Sequence, residues 1–222
     1  MISLSDLRQF KTNGRKFSCL TCYDASMAKA MELAEVDSIL IGDSLGMAIQ
    51  GRDSTLPVTV EDMAYHTAAV RRGNQHAFIM TDLPFMSYAT LNDALSSSKT
   101  VMQAGAQMVK MEGGAWLSET VTVLTRNGIP VCVHLGLTPQ SVHVFGGYKL
   151  QARTREAADQ LIADCKAVVE AGAALLLLEC VPAQLGKEIS ELFPHVPVIG
   201  IGAGVDTDGQ VLVVQDMLGL TF

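Results

Sequence analysis

Eight short apolar runs recur along this sequence, at Cys19–Cys22, Ser38–Ile41, Ala77–Thr81, Gln107–Met111, Val131–His134, Ala174–Leu178, Val198–Ile201 and Val211–Val214. Most are apolar at successive rather than alternate positions, which is the pattern of strands covered on both faces, as in a parallel sheet. Helical patterns fill the gaps. Thr59-x-x-Asp62 opens one, with Met63, Thr67 and Val70 on one face and Gly73 as its stop. Thr90-x-x-Asp93 opens a second that ends near Gly105, and Arg155 to Ala171 forms a third, with Leu161, Cys165 and Val168 along one side and Gly172 after it.

Eight strands alternating with helices predict a (β/α)₈ barrel, with a doubly wound open sheet as the alternative. An internal echo favours the barrel: Ala104 to Glu112 and Ala171 to Glu179 both run from helix end through strand to a glutamate at the same offset. No linker, low-complexity tract or shift in composition interrupts the pattern, so residues 1–222 read as a single domain.

Composition narrows the function classes. The 49% apolar content supplies a core and the 18% charged content argues against disorder. The formal charge is −7 and the densest basic cluster is Arg71-Arg72, so nucleic acid and anionic membrane are poor partners. The longest unbroken apolar run, Ala173 to Leu178, falls far short of the ~20 residues that span a bilayer. The start, Met1-Ile-Ser-Leu-Ser-Asp, lacks the pattern of an export signal, so a cytoplasmic protein is expected. Five scattered cysteines suit reduced, buried thiols.

In a barrel the reactive groups sit at the carboxyl ends of the strands. Here those ends are polar: Asp43, Asp82, Glu112, His134 and Glu179 close or follow five of the runs. Strand side chains alternate, so Lys110 shares a face with Glu112. If that face looks inward, four carboxylates, a lysine and a histidine converge. Desolvation and mutual repulsion drive such carboxyl groups toward their neutral forms unless a cation compensates. Hard oxygen donors without thiolates favour Mg²⁺ or Mn²⁺ over Zn²⁺.

Other motifs read as structural. In Cys19-Leu-Thr-Cys22 the two sulfurs fall on opposite faces of a strand, against a redox or zinc pair. Gly200-Ile-Gly-Ala-Gly204 could wrap a phosphate, but the following Asp206 and Asp208 would repel one, which favours a packed turn. His66 falls in a helix; His76, His143 and His195 fall in loops, with only His143 near the expected mouth.

Several longer stretches resemble the ketopantoate hydroxymethyltransferase family, part of the wider phosphoenolpyruvate mutase and isocitrate lyase barrel group. They include Ile41-Gly-Asp-Ser-Leu-Gly-Met47, Asp53 to Thr59, Tyr65 to Gly73, Asp82-Leu-Pro-Phe85, Lys110-Met-Glu-Gly-Gly114, His134 to Gln140, Phe145-Gly-Gly-Tyr-Lys149 and Gly200 to Gly204. The resemblance implies Asp43, Asp82 and Glu112 as Mg²⁺ ligands, Asp43, Ser44, Asp82 and Lys110 as contacts to an α-keto acid, and Glu179 as general base. It also implies 3-methyl-2-oxobutanoate as carbon nucleophile, 5,10-methylenetetrahydrofolate as one-carbon donor, and a homodecamer. The residue types suit that chemistry, since a divalent cation chelated by the keto acid stabilises the enolate that a carboxylate base generates.

The segment Thr138–Tyr148, rich in Gly, Pro and Ser, reads as a cover over the site. The resemblance also implies a helix after the eighth strand; the last barrel helix is absent from this sequence, which would leave neighbouring apolar faces uncovered. Val205-Asp206 replaces an expected Asn-Val after the glycine turn. Two alternatives remain: a related barrel lyase or mutase acting on a 2-oxo acid, for which no mouth cysteine is clearly placed, and an inactive metal-binding homologue.

Overall fold

The computed structural model describes residues 1–221. Its strands are β1 (Phe17–Thr21), β2 (Ser38–Ile41), β3 (Phe78–Asp82), β4 (Met108–Glu112), β5 (Val131–Gly136), β6 (Leu175–Glu179), β7 (Val198–Ile201) and β8 (Gly209–Leu212). They hydrogen-bond in chain order into a closed barrel. The pairings β1–β2, β2–β3, β3–β4, β5–β6, β6–β7 and β7–β8 are parallel. Closure excludes the open doubly wound sheet, and the fold is a (β/α)₈ barrel. Every residue of β2, β3 and β4 is buried, the charged Asp82, Lys110 and Glu112 included.

The helices are α1 (Leu4–Thr12), α2 (Ala25–Leu33), α3 (Leu45–Ala48), α4 (Val60–Gly73), α5 (Leu91–Gln103), α6 (Ser118–Arg126), α7 (Val142–Phe145), α8 (Arg155–Glu170), α9 (Ala183–Leu192) and α10 (Val214–Met217). At α4 the Thr59 hydroxyl accepts from the Asp62 N–H at 3.1 Å, while the Asp62 carboxylate accepts from the Thr59 N–H at 3.0 Å. Such a reciprocal cap stabilises a helix start by about 1 kcal/mol. Thr90 and Thr154 cap α5 and α8 in the same way from their hydroxyls.

Three sequence expectations need correction. Gly73 is the last residue of α4 and does not stop it; a Cβ there would lie 2.2 Å from the Ala25 carbonyl, so close packing requires glycine. Asn74 ends the helix, donating its N–H to the Val70 carbonyl at 3.0 Å. The eighth strand begins at Gly209, two residues before the apolar run, because Gly209 is in register with Ile199 and packs on the Phe17 ring where a Cβ would clash at 2.7 Å. His143 lies in α7 and not in a loop.

No helix separates β7 from β8, and residues 202–208 carry the chain back to the start of the next strand. Asp208 therefore anchors the amino end of β7, accepting from the Val198 N–H at 2.8 Å, the Ser190 hydroxyl at 3.1 Å and Lys11 Nζ at 2.7 Å. Leu212, Met217, Leu218 and Leu220 are exposed. No helix among the described residues is long and apolar enough to cross a membrane.

The chain divides into two compact units, residues 1–4, 18–110 and 211–221 in the first, residues 5–17 and 111–210 in the second. In the first, Ile39, Ile41, Met63, Ile79, Met80 and Met108 are fully buried. In the second, Leu117, Leu124, Val133, Cys165, Leu175, Leu176 and Ile199 are buried.

Candidate active site

The sequence-predicted site residues fall at or just past strand ends, except Lys110, which stands two residues inside β4. In the first unit, Asp82 closes β3 and is in register with Lys110 on β4. Side chains at paired positions of adjacent parallel strands point the same way, and here they form an ion pair, Lys110 Nζ to Asp82 Oδ1, at 2.7 Å with both side chains 3% exposed. Such a pair holds only because each charge compensates the other away from water. Asp82 Oδ2 accepts from the Asp43 N–H at 3.1 Å, which ties the loop after β2 to the end of β3. Asp43 is buried as well.

Ser44 follows Asp43 and its hydroxyl lies 2.9 Å from the Tyr23 hydroxyl. Tyr23 is buried, and its carbonyl accepts from His66 Nδ1 at 2.7 Å while the two rings meet edge to face. Burial pushes the Tyr23 phenol up to about 12, and the charges of Asp82 and Asp43 push the same way. The phenol stays protonated, available as a hydrogen-bond donor beside Asp43.

In the second unit, His134 on β5 faces two carboxylates. Its Nδ1 lies 3.3 Å from Glu112 Oε1, and its Nε2 lies 3.2 Å from Glu179 Oε2. Glu112 Oε2 also accepts from the Gln140 N–H at 2.9 Å, so the segment after β5 closes on the end of β4. Glu112 and His134 are 3% exposed and Glu179 is 17% exposed. The register of β5 on β6 explains the reach: Glu179 pairs with Gly136, which has no side chain, and His134 two residues earlier fills that side.

Among the described residues, no three His, Cys, Asp and Glu side chains stand grouped as a ready metal centre. Asp43 and Asp82 come together in one cluster and Glu112 with Glu179 in another. The cysteines are all free, four of them buried and Cys180 half-buried. Burial pushes Cys19 up to about 12 and Cys22 to about 11, so neither thiol offers a thiolate ligand. Sequence reasoning missed Tyr23, although it follows β1 as Asp43 follows β2.

A closed parallel barrel with buried acids and a lysine at the carboxyl ends of its strands defines an α/β-barrel enzyme. Solved barrels share the fold. Phosphonopyruvate hydrolase in complex with oxalate and Mg²⁺ matches with a TM-score of 0.74 at 13% identity, over 99% of this chain and 84% of that one. A 2,3-dimethylmalate lyase of the phosphoenolpyruvate mutase/isocitrate lyase superfamily matches with a TM-score of 0.70 at 14% identity, over 99% and 83%. The chain belongs to the ketopantoate hydroxymethyltransferase family, whose model matches residues 1–222. It is 90% identical over 222 residues to the 3-methyl-2-oxobutanoate hydroxymethyltransferase of Acinetobacter baumannii (strain AYE), covering 100% of this chain and 82% of that protein. It is an enzyme, a hydroxymethyltransferase.

Proposed function

We propose that this chain converts 3-methyl-2-oxobutanoate, 5,10-methylenetetrahydrofolate and water to 2-dehydropantoate and tetrahydrofolate, a step toward pantothenate. The observation that carries the reading is the buried Asp82–Lys110 pair with Asp43 bonded to the same carboxylate. A small anionic oxo acid needs a desolvated cation for its carboxylate, and Lys110 is held in place as one. The name of the 90% identical relative supports the same substrate.

Asp43, Asp82 and Glu112 would hold a divalent cation. They are buried hard-oxygen donors at the ends of β2, β3 and β4, a set that fits Mg²⁺, with Mn²⁺ as the alternative. When bound, the cation supplies Lewis-acid polarisation of the oxo acid's carbonyl. Ser44 and Asp43 border the oxo acid, with Tyr23 fixing the serine hydroxyl. Glu179 takes the proton from carbon 3, and its partial exposure lets that proton pass on to water. One of the two carbon–nitrogen bonds to the donor's methylene opens with protonation of that nitrogen, carbon 3 bonds to the one-carbon unit, and water replaces the second nitrogen, supplying the hydroxyl and a proton to the departing tetrahydrofolate. The segment from Thr138 to Tyr148, which includes α7, covers the site during transfer.

Incubation with 3-methyl-2-oxobutanoate in D₂O with Mg²⁺ and no folate tests the first half. We expect NMR to show exchange of the carbon-3 proton, and 2-dehydropantoate to form once the donor is added. A folded protein that exchanges nothing overturns the reading.

A further inference from the structure

One cavity of about 460 Å³ in the second unit is not used by the acids and lysine assigned to the oxo acid. Of the residues proposed to bind metal or oxo acid, only Glu112 lines it. Its size lies in the range of small-molecule sites and exceeds what a compact oxo acid fills. The geometry points to this cavity as the site for the flat ring system of the one-carbon donor, an inference that rests on the folate reading above.

The walls select the ligand. Trp116, the chain's one tryptophan, stands at the cavity 66% exposed, with Phe145 also lining it. An exposed indole beside a half-buried phenyl ring suits a planar heterocycle. Asp164, Gln160 and Gln151 add acceptors and donors. Asp164 is fixed, since its Oδ1 accepts from the Ala115 N–H at 3.1 Å and from Gln160 Nε2 at 3.1 Å. Glycines let the walls close in: a Cβ on Gly114 would sit 2.8 Å from the Asp164 carboxyl, and one on Gly113 would sit 2.6 Å from the indole of Trp116.

Charge excludes other occupants. The lining contains two acids and no Lys, Arg or His. Phosphate esters and a second oxo acid are disfavoured, whereas a neutral ring with adjacent N–H and amino donors pairs with a carboxylate. A reduced pterin has such an edge. The anionic glutamate tail of the donor would therefore lie outside the cavity. Glu112 is shared by the cavity and the proposed ion site.

The test measures tetrahydrofolate affinity by titration calorimetry, alongside oxo-acid proton exchange without folate, in wild type, Asp164→Asn, Trp116→Ala and Trp116→Phe. Loss of a charge-assisted hydrogen bond or a stacking face should weaken tetrahydrofolate binding roughly tenfold or more in the first two variants. Trp116→Phe should retain most of the affinity, and exchange should continue in all of them. Unchanged affinity in both Asp164→Asn and Trp116→Ala overturns the cavity assignment. A wild type that exchanges protons yet binds no tetrahydrofolate overturns the donor reading itself, a distinct outcome.

Discussion

In the first unit the Asp82 carboxylate is neutralised by an ammonium group 2.7 Å away, whereas in the second Glu112 and Glu179 face the two nitrogens of a single imidazole at 3.3 and 3.2 Å. Lysine is a fixed point charge, suited to gripping an anion. Imidazole can give or accept a proton at either nitrogen, suited to a place where protons move. Exposure follows the same division: Asp82 and Lys110 are equally sealed, while Glu179 keeps contact with solvent. The difference matches the proposed function, in which the first cluster binds and the second does proton chemistry, although both stand at barrel strand ends.

Removing the proposed base should break that division most completely. Glu179→Gln keeps the shape and deletes the proton acceptor, so carbon-3 exchange should fall by at least ~10²-fold, within the range general bases supply. Mg²⁺ and oxo-acid affinities should stay near wild type by calorimetry. Near-normal exchange would mean that the second cluster does not contain the base.

The next effect belongs to the first cluster. Asp82→Asn leaves Lys110 buried without its carboxylate and should cost about 3–5 kcal/mol in denaturant unfolding. Metal and oxo-acid affinities should drop together, roughly tenfold or more. Adding Lys110→Met should restore much of the stability without restoring binding, because the stranded charge is gone and the binding group with it. Binding that survives either change would show that this cluster is only a structural pair.

How far these clusters could be read beforehand depended on where each residue's signal lies. Strands such as Ser38–Ile41 and Val198–Ile201 were legible to the residue because burial on both faces demands unbroken apolar sequence. The eighth was misplaced because its register begins on Gly209, which carries no apolar signal. That Asp43, Asp82, Glu112 and Glu179 lie at or just past strand ends was legible from their place after apolar runs, and Lys110 from its spacing of two before Glu112. Tyr23 was not, because β1 runs from Phe17 to Thr21 while the apolar run spans Cys19–Cys22, which left the tyrosine looking like loop. The cavity beside Glu112 was invisible, since it joins Ala115 to Asp164 across 49 residues of sequence and depends on two glycines that only packing explains.

The smallest effect sharpens the comparison from the side of Tyr23, a neutral group in the binding cluster. Its phenol titrates near 10 when unfolded and is pushed up to about 12 by burial in the folded chain. Between those pH values the unfolded chain has released a proton that the folded chain retains. The stability is therefore complete below pH 10 and declines above it by about 1.4 kcal/mol per pH unit for this group until pH 12. Cys22, raised to about 11, and Cys19 and Cys165, raised to about 12, add declines of the same sign from pH 9 upward. Tyr23→Phe deletes the hydroxyl that meets Ser44, so at pH 7 it should cost about 1 kcal/mol. It also deletes one titrating group, so its stability should fall less steeply between pH 10 and 12, and the two curves should converge or cross. Denaturant unfolding at pH 7, 10 and 11.5 reads the gap directly. A gap that stays constant would mean the phenol ionises alike in both states and is not sealed beside the carboxylates.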